Sequence, residues 1–365
     1  MPLRQRIAVI GSAIRAPVTN NDKALEELLY DVVQDALTDA GLTIEEIDGI
    51  VVASNDQFDG RAIAVMAASG SVGGVDRDIL STPSAAEHAF VMGVLRTASG
   101  QYRTHLVVSW SPTEASSLSE AERLGADPYF HRRLPLDGPA SYALQASALI
   151  GAVSGVEAAA SALHAATPLS APAAITRWPL TEGMVPSPVT GAVAVVLASE
   201  DFLAGHVGVT PAWIRGMGWA TEPGFLGDRD LASAPALAEA ARRAYEDARI
   251  TAPEDAFDVA EIDDATPYQQ LLALEVLGIS RRDRWRTDIA SGRFCPTGTL
   301  PLNPSGGARA ANAVFCNGLI RIAEAANQIR NRAAAHQVNA KLALAHAASG
   351  FAMQYQTVVV LGRDR

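Results

Sequence analysis

The hydrophobic positions of this chain repeat one pattern: a short apolar run typical of a buried strand, a longer stretch with apolar residues at helical spacing, and a second apolar run. In the first copy these segments are a strand at Ile7 to Gly11, a helix at Leu25 to Ala40 and a strand at Gly49 to Ala53. In the second copy they are a strand at Ala212 to Gly216, a helix at Ala234 to Ala248 and a strand at Asp258 to Ile262. Leu42 and Ile250 hold equivalent places after the two helices.

The repeat continues downstream in both copies. The first copy adds a helix at Ser84 to Ser99, a strand at Leu106 to Ser109 and a very apolar strand at Ala192 to Ser199. The second adds a helix at Ala310 to Ile329, a strand at Leu342 to His346 and an apolar strand at Thr357 to Leu361. Two similar α/β halves, residues 1–205 and 206–365, are the simplest interpretation.

The first half carries an insertion between its last two strands, at about residues 112–186. It contains helical patterns at Gly138 to Ile150 and at Val156 to Ala166, and it ends in a proline-rich loop at Pro168 to Pro188. A structureless loop of this length would be unusual, and long insertions beside strand ends often carry function. We therefore expect a lid over a substrate or an element of a dimer interface.

Composition narrows the class of protein. Hydrophobic residues make up 48% of the chain and charged residues 19%, which is ample for a buried core. The net charge of -11 argues against nucleic acid or an anionic membrane surface as the main partner. The chain has no signal-peptide pattern and no apolar run of the roughly 20 residues that a membrane span needs, so we expect a cytoplasmic protein. The seven histidines show no metal-ligand spacing, and we expect no bound metal.

Four motifs carry a family resemblance. They are LPLNPSGG at Leu300 to Gly307, DDATPYQQLLALEVLGI at Asp263 to Ile279, PVTGAVAVVLAS at Pro188 to Ser199 and ALAHAASGFAMQYQTVVVLGR at Ala343 to Arg363. The first is a strand end that leads through a Gly-Gly turn into a long apolar-faced helix. Together they resemble the thiolase superfamily, and most of all its bacterial lipid-transfer or sterol-carrier-type branch.

The resemblance implies a fold, a substrate class and partners. The implied fold is the α/β thiolase fold, with two duplicated βαβαβ-type halves in a layered α/β sandwich and a large loop insertion in the first half. The implied substrate is an acyl-CoA, with coenzyme A as part of the substrate and no covalently bound cofactor. A homodimer or heterodimer of thiolase folds is implied, as is a small companion of the zinc-ribbon and OB-fold (DUF35) type.

The family's nucleophile has no counterpart here. Thiolases place an acylated cysteine at the start of the helix after the third strand, where the helix dipole lowers its pKa. The equivalent residue is Pro83. Covalent chemistry would need Ser84 or Thr82 instead, with His88 or the nearby Glu87 as base. The alternative is structural: Pro83 begins the helix, and Ser84 caps or exposes its first turn.

The other two catalytic positions of the family are also replaced. Asp263 and Asp264 stand where this branch has a His-Asp pair. An ionised carboxylate cannot donate a hydrogen bond to an enolate, but two adjacent carboxyls can give one raised pKa and hence a general base. Alternatively, one of them caps the helix that begins near Tyr268. At the third position Ala348 replaces a cysteine.

Several residues around these positions have expected supporting roles. The retained glycines Gly306 and Gly307 suit a thioester oxygen, because they leave backbone N–H groups free at a helix start. We expect Asn303 and Ser305 to hold that turn through hydrogen bonds to the backbone. In the C-terminal turn, His346 and Gly350 are candidate substrate-binding residues, although a lone histidine at the end of a buried strand is more often a core residue.

The chain resembles thiolases but lacks their catalytic cysteines, and this combination leads to two hypotheses. One is an enzyme that makes or breaks a carbon-carbon bond of an acyl-CoA by a retro-aldol reaction. Its candidate bases are Asp263, Asp264 and Tyr268, and its oxyanion side is formed by the Gly-Gly turn and by Asn312, which replaces a family histidine. The other is a catalytically degenerate subunit that binds acyl-CoA or completes a hetero-oligomer. Ordinary thiolysis would need a reactive cysteine, but Cys316 falls on an apolar helix face and Cys295 lies in a loop without a partner motif.

Overall fold

Strands and helices alternate along the computed structural model, which describes residues 5–19, 23–83, 85–166, 177–206 and 208–365. The strands are β1 Ile7–Arg15, β2 Gly49–Ala53, β3 Asp78–Thr82, β4 Thr104–Ser111, β5 Gly191–Ser199, β6 Ala212–Thr221, β7 Val259–Glu261, β8 Leu342–Ser349 and β9 Tyr355–Gly362. The helices are α1 Leu25–Ala40, α2 Asp56–Asp59, α3 Ala64–Ala68, α4 Ala86–Ala98, α5 Leu118–Gly125, α6 Gly138–Ala152, α7 Val156–Ala166, α8 Glu200–Ala204, α9 Pro235–Ala248, α10 Pro267–Val276, α11 Trp285–Ala290, α12 Gly307–Ala310 and α13 Asn317–Arg330.

The strands of the described residues form one mixed sheet in the order β3-β2-β4-β5-β1-β6-β9-β8-β7. The two halves meet where β1 pairs with β6, through Ala8 with Trp213 and Val9 with Ala212. Beyond β7, where the first half has β3, Ala260 bonds to the segment that precedes the Gly-Gly turn: its N–H donates to Pro301 O at 3.0 Å, and its carbonyl accepts from Asn303 N at 2.8 Å. This pairing places the turn at the end of β7.

Both halves repeat the same packing detail. β1 and β6 each carry a bulge, at Val9/Gly11 and at Ile214/Gly216. At each bulge a glycine lies against a helix: a Cβ on Gly11 would lie 2.5 Å from Ala36 O of α1, and one on Gly216 would lie 2.0 Å from Ala244 O of α9. The mixed sheet with its helices confirms the predicted α/β class.

We expect Gly216→Ala to lower the free energy of unfolding by about 2–3 kcal/mol, because the new methyl group would overlap a helix backbone that cannot move independently. The measurement is urea unfolding. Gly151→Ala is the matched control, since no atom lies within 4 Å of its added Cβ. We expect that variant to be as stable as the wild type or slightly more stable. Equal stability of the two variants would contradict the close approach at the bulge.

Helices pack on both faces of the sheet. α4 and α13 pack together in a core that includes Phe90, Val94, Leu319 and Ile322. α1 covers the opposite face in the first half, and α9 does so in the second. Among the described residues, no helix combines the length and apolarity needed to cross a membrane.

The predicted helix from Ala310 to Ile329 is wrong as a single element. The chain forms the short α12, then an irregular segment and a 3-10 turn at Val314–Cys316, before α13 begins at Asn317. At the break, Asn312 bonds to the segment between the insertion and β5: its carbonyl accepts from Val189 N at 2.8 Å, and it forms a bridge with Pro188. In the insertion, α6 and α7 occupy the two predicted helical segments, whereas α5 was not predicted.

Candidate active site

A cavity of about 120 Å³ lies where the insertion meets the ends of β7 and β8. Its wall is formed by Ala85, Leu118, Glu122, Pro139, Tyr142, Val185, Pro186, Pro188, Asp263, Ala265, Gln269, Asn312, Val314, Phe315, Asn317, Ala348, Ser349, Gly350 and Met353. An outer groove of about 550 Å³ adjoins it and shares Ala85, Glu122, Phe315, Ser349 and Gly350 with it. The wall of the inner cavity includes the ionisable residues Glu122, Tyr142 and Asp263, and the volume of the outer groove is in the range of ligand sites.

Asp263 brings a carboxyl group into the cavity wall directly after β7. Its exposed fraction is 7%. Burial and, next, the charge of Asp264 raise the pKa of Asp263 to about 7, although the N–H of Ala265 opposes the shift. A group that ionises near neutral pH in a cavity is well suited to take up a proton from a substrate.

Unlike Asp263, Asp264 is not among the residues that line the inner cavity, and its carboxyl group bonds to the start of α12. Its Oδ1 accepts from Ala308 N at 2.8 Å, at the start of α12, and its carboxyl lies against Gly307. Burial raises the pKa of Asp264 as well. Thr266, whose Oγ1 accepts from Gln269 N at 3.1 Å, is the residue that caps α10. The alternative that an aspartate caps this helix is therefore wrong.

The Gly-Gly turn uses its own backbone N–H groups inside the protein. Gly306 and Gly307 have φ angles of 90° and 64°, which glycine adopts without strain. Gly306 N donates to Asn303 O at 2.8 Å, and Gly307 N donates to Ser305 Oγ at 3.3 Å. Asn303 also bonds to the backbone of Ile262 through both atoms of its amide. The residues given above as lining the inner cavity do not include Asn303, Ser305, Gly306 or Gly307.

A buried ion pair supports the turn from below. Glu261 Oε2 lies 3.0 Å from Arg321 Nη1, with side-chain exposures of 0% and 4%. The same carboxyl accepts from the hydroxyl of Ser305 at 2.7 Å and from its N–H at 3.1 Å. Glu261 ends β7, two residues before Asp263, so this network connects the strand, the turn and α13. No motif in the sequence indicated the pair.

Asn312 lies in the cavity wall with its amide held in one orientation. Its Nδ2 donates to Pro186 O at 2.8 Å, and its Oδ1 accepts from Asn317 Nδ2 at 2.8 Å. A backbone carbonyl only accepts, so the bond to Pro186 fixes which atom of the Asn312 amide is nitrogen. The side chain therefore joins the insertion to the start of α13.

The remaining predicted site residues are dispersed. Gly350 lines both the cavity and the groove. The ring of His88 packs edge-on against Tyr355 of the groove, at 5.2 Å between centroids. Tyr268 is buried in the core rather than in the cavity wall. His346 is fully buried on β8, bonds to Gln356 at 2.8 Å, and has its pKa lowered by burial to about 4. Ser84 lies outside the described residues.

Two residues of the insertion in the cavity wall were missed by the sequence analysis. Glu122, on α5, accepts from Gly138 N at 2.8 Å, and burial raises its pKa to about 7. Tyr142, on α6, has its pKa raised by burial and then by the charges of Glu122 and Asp263. Neither residue belongs to a motif, so only the tertiary arrangement reveals them. Among the described residues, no cluster of three or more His, Cys, Asp or Glu is placed to bind a metal ion.

Neither cysteine lies in the cavity or the groove. Cys316 is buried, 3.6 Å from Ser109 Oγ and 3.7 Å from Gly191 O, and burial raises the pKa of its thiol to about 12. It is a core residue, in agreement with its apolar helix position. Cys295 is exposed in the loop that follows α11. Pro83 follows β3 and lines the outer groove.

Comparison with known proteins decides the fold. Over the whole chain, the structure matches a human mitochondrial 3-ketoacyl-CoA thiolase with a TM-score of 0.71 at 15% identity, covering 100% of both chains. The chain has the thiolase fold. A monomeric SCP2-thiolase-like protein from Mycobacterium smegmatis matches with a TM-score of 0.70 at 18% identity, over 100% of this chain and 78% of that one. The Ltp2-ChsH2(DUF35) aldolase matches with a TM-score of 0.77 at 19% identity, over 100% and 99% of the two chains.

Sequence comparisons agree with the thiolase fold. Residues 221–363 match the family described as thiolase C-terminal domain-like. An acetyl-CoA acetyltransferase of Methanothermobacter thermautotrophicus is 32% identical over 168 residues, which are 45% of this chain. The match spans 43% of that relative's length. The resemblance to the thiolase superfamily is thus confirmed.

Proposed function

We propose that this thiolase-like protein cleaves, or in reverse forms, a carbon-carbon bond of a β-hydroxyacyl-CoA by a retro-aldol reaction without an acyl-enzyme. The observation that carries the proposal is Asp263: a carboxyl in the cavity wall with its pKa raised to about 7. The neighbouring aldolase of the same fold supports this reaction class. Retro-aldol cleavage needs a base for a hydroxyl proton but no covalent nucleophile.

In the proposed reaction, ionised Asp263 takes the proton from the β-hydroxyl of the substrate. The O–H electron pair becomes the C=O bond of an aldehyde or ketone, and the bond between the α and β carbons breaks. Its electron pair forms the enolate of the shortened thioester. A proton must then reach the α carbon to complete the product.

The enolate oxygen needs a hydrogen-bond donor, and Tyr142 is the candidate that the cavity offers. Tyr142 lies in the cavity wall, and its raised pKa keeps the phenol protonated at neutral pH. Asn312 lies in the same wall, and one of the two N–H bonds of its amide is used by Pro186 O, so its other N–H can only assist Tyr142 in the orientation that this bond fixes. The N–H groups of the Gly-Gly turn bond within the protein, so we assign the oxyanion role to Tyr142.

Partners are also part of the proposal. The neighbouring aldolase carries a DUF35 component in its name, which supports a companion of the zinc-ribbon and OB-fold type for this chain. We further propose that the chain forms a homodimer or heterodimer of thiolase folds.

The direct test of the proposed reaction is to incubate the purified protein, alone and with its companion, with β-hydroxyacyl-CoA thioesters and to measure aldehyde or ketone release. No release under either condition would overturn the function.

A degenerate acyl-CoA-binding subunit is the second candidate. The bonding of the Gly-Gly turn favours it, because the N–H groups of Gly306, Gly307 and Ala308 all have acceptors within the chain. This candidate predicts that the chain binds acyl-CoA but cleaves nothing, and that it co-purifies with a cysteine-bearing homologue. Cleavage by this chain alone would exclude it.

Thiol alkylation separates retro-aldol chemistry from thiolysis. We expect iodoacetamide to label the exposed Cys295 and to leave the cleavage rate within about twofold of the untreated enzyme, because neither sulfur reaches the cavity. The measurement is peptide mapping of the labelled protein alongside the activity assay. A Cys295→Ser variant is the control, and it should resist labelling at neutral pH. Loss of activity in proportion to alkylation would indicate a thiol mechanism.

A further inference from the structure

The proposed reaction leaves one role unassigned: the proton that the enolate carbon must receive. We propose that Glu122, carried by the insertion, is the catalytic acid that protonates the α carbon and, in the condensation direction, the base that removes that proton. This inference rests on the proposed function and adds a second catalytic carboxyl to it. It also gives the insertion a chemical role, because the insertion then supplies both Glu122 and Tyr142.

The position of Glu122 supports the role. Its side chain lines both the inner cavity and the outer groove, so it lies where the two adjoin. Asp263 reaches the same cavity from the end of β7, whereas Glu122 reaches it from α5. The two carboxyls therefore come from separate parts of the fold and can serve different atoms of one substrate.

The hydrogen bonding of Glu122 leaves one oxygen for chemistry. Oε2 accepts from Gly138 N at 2.8 Å, at the start of α6, which holds the carboxyl in place. Oε1 has no hydrogen-bond partner among the described residues. A Cβ on Gly138 would lie 2.8 Å from Glu122 Oε1 and 3.3 Å from Tyr142 Oη. The two oxygens therefore flank one point, so the proposed donor to the enolate oxygen and the proposed donor to its carbon are neighbours.

The protonation state of Glu122 fits this position. Burial and the charge of Asp137 raise its pKa, while the bond from Gly138 lowers it, and the result is about 7. Near pH 7 both the acid and the base forms are populated, so Glu122 can donate a proton in one turnover and recover it from solvent. The step balances: Asp263 gains the hydroxyl proton, Glu122 gives up its own, and the two states are restored by exchange with water.

Hydrogen exchange at the α carbon tests the inference apart from cleavage. With propionyl-CoA in D₂O, we expect the wild type to exchange α-hydrogens for deuterium, a reaction that needs no β-hydroxyl. Glu122→Gln should lower this exchange at least about 100-fold and also lower cleavage of a β-hydroxyacyl-CoA. The carbonyl oxygen of Gln can still accept the hydrogen bond from Gly138 N, so we expect the variant to fold as the wild type does. Thermal unfolding checks this.

The matched control is Glu120→Gln, two residues earlier on α5. The side chain of Glu120 is 62% exposed, and its ion-pair partner among the described residues is Arg123, so exchange and cleavage should both match the wild type. In Asp263→Asn, cleavage should be lost while exchange persists above the level of Glu122→Gln. Wild-type exchange in Glu122→Gln, or no exchange by the wild type, would overturn the role of Glu122. If Asp263→Asn also cleaved normally, the proposed function itself would fail.

Discussion

Asp263→Asn is expected to lower the rate of carbon-carbon cleavage by about 10²–10⁴-fold, the range that a positioned general base contributes. Asparagine keeps the shape of the side chain but cannot accept a proton from the β-hydroxyl. The measurement is the kcat for aldehyde release from a β-hydroxyacyl-CoA. Asp247→Asn, on the exposed surface of α9, is the matched control and should retain the wild-type rate.

The pH profile identifies the group behind that loss. Because Asp263 must be ionised and Glu122 must be protonated, the wild-type cleavage rate should rise with pH as Asp263 ionises, and fall again as Glu122 loses its proton, since the pKa of each is about 7. The contribution of Asp263 to stability should fall as pH rises. The pKa is higher in the folded protein than in the unfolded chain, so the contribution of Asp263 to stability is present at pH 4 and lost as pH rises to about 7. Asp263→Asn should therefore be more stable than the wild type at pH 8. A pH-independent difference in stability would contradict the assignment.

The largest expected effect on stability comes from Arg321→Met, at about 3–5 kcal/mol in the free energy of unfolding at pH 8. The substitution leaves Glu261, with a side-chain exposure of 0%, without its cationic partner. Burial already raises the pKa of Glu261, and loss of Arg321 raises it further. The penalty should therefore shrink as pH falls, because the carboxyl takes up a proton. Urea unfolding at pH 8 measures the penalty, and urea unfolding at pH 5 measures how far it shrinks.

The double variant Glu261→Gln with Arg321→Met is the control for this pair. It removes both charges, and the Gln side chain can still accept a hydrogen bond from Ser305. We expect it to be clearly more stable at pH 8 than Arg321→Met alone, since replacing a buried ion pair with neutral groups often costs little. A cost below about 1 kcal/mol for Arg321→Met would show that the pair does not support the turn.

Much of the fold could be predicted from the sequence because its elements are strongly periodic. The helix at Leu25 to Ala40 and the strand at Gly49 to Ala53 were placed with their observed bounds. Periodicity failed between Ala310 and Asn317, where apolar spacing continues but the backbone bonds to the segment between the insertion and β5 instead. Such a break depends on a partner segment more than a hundred residues away, which a local pattern cannot reveal.

The candidate site was only partly predictable. Asp263 could be singled out because the family resemblance places it opposite a catalytic residue of thiolases, and the structure puts it in the cavity wall. Asp264 shares that motif but points to α12, a difference that depends on the path of the backbone after β7. Glu122 and Tyr142 lie in an insertion with no motif. The pKa of each is raised mainly by burial and further by neighbouring carboxyl groups, and these causes exist only in the folded chain.

The proposed reaction proceeds without an acyl-enzyme. Intact-protein mass spectrometry, performed on samples quenched during turnover of a β-hydroxyacyl-CoA, tests this most directly. We expect the protein to keep its unmodified mass while aldehyde and the shortened acyl-CoA accumulate in equal amounts. A protein species heavier by the mass of the acyl group, formed and consumed at the rate of turnover, would contradict it.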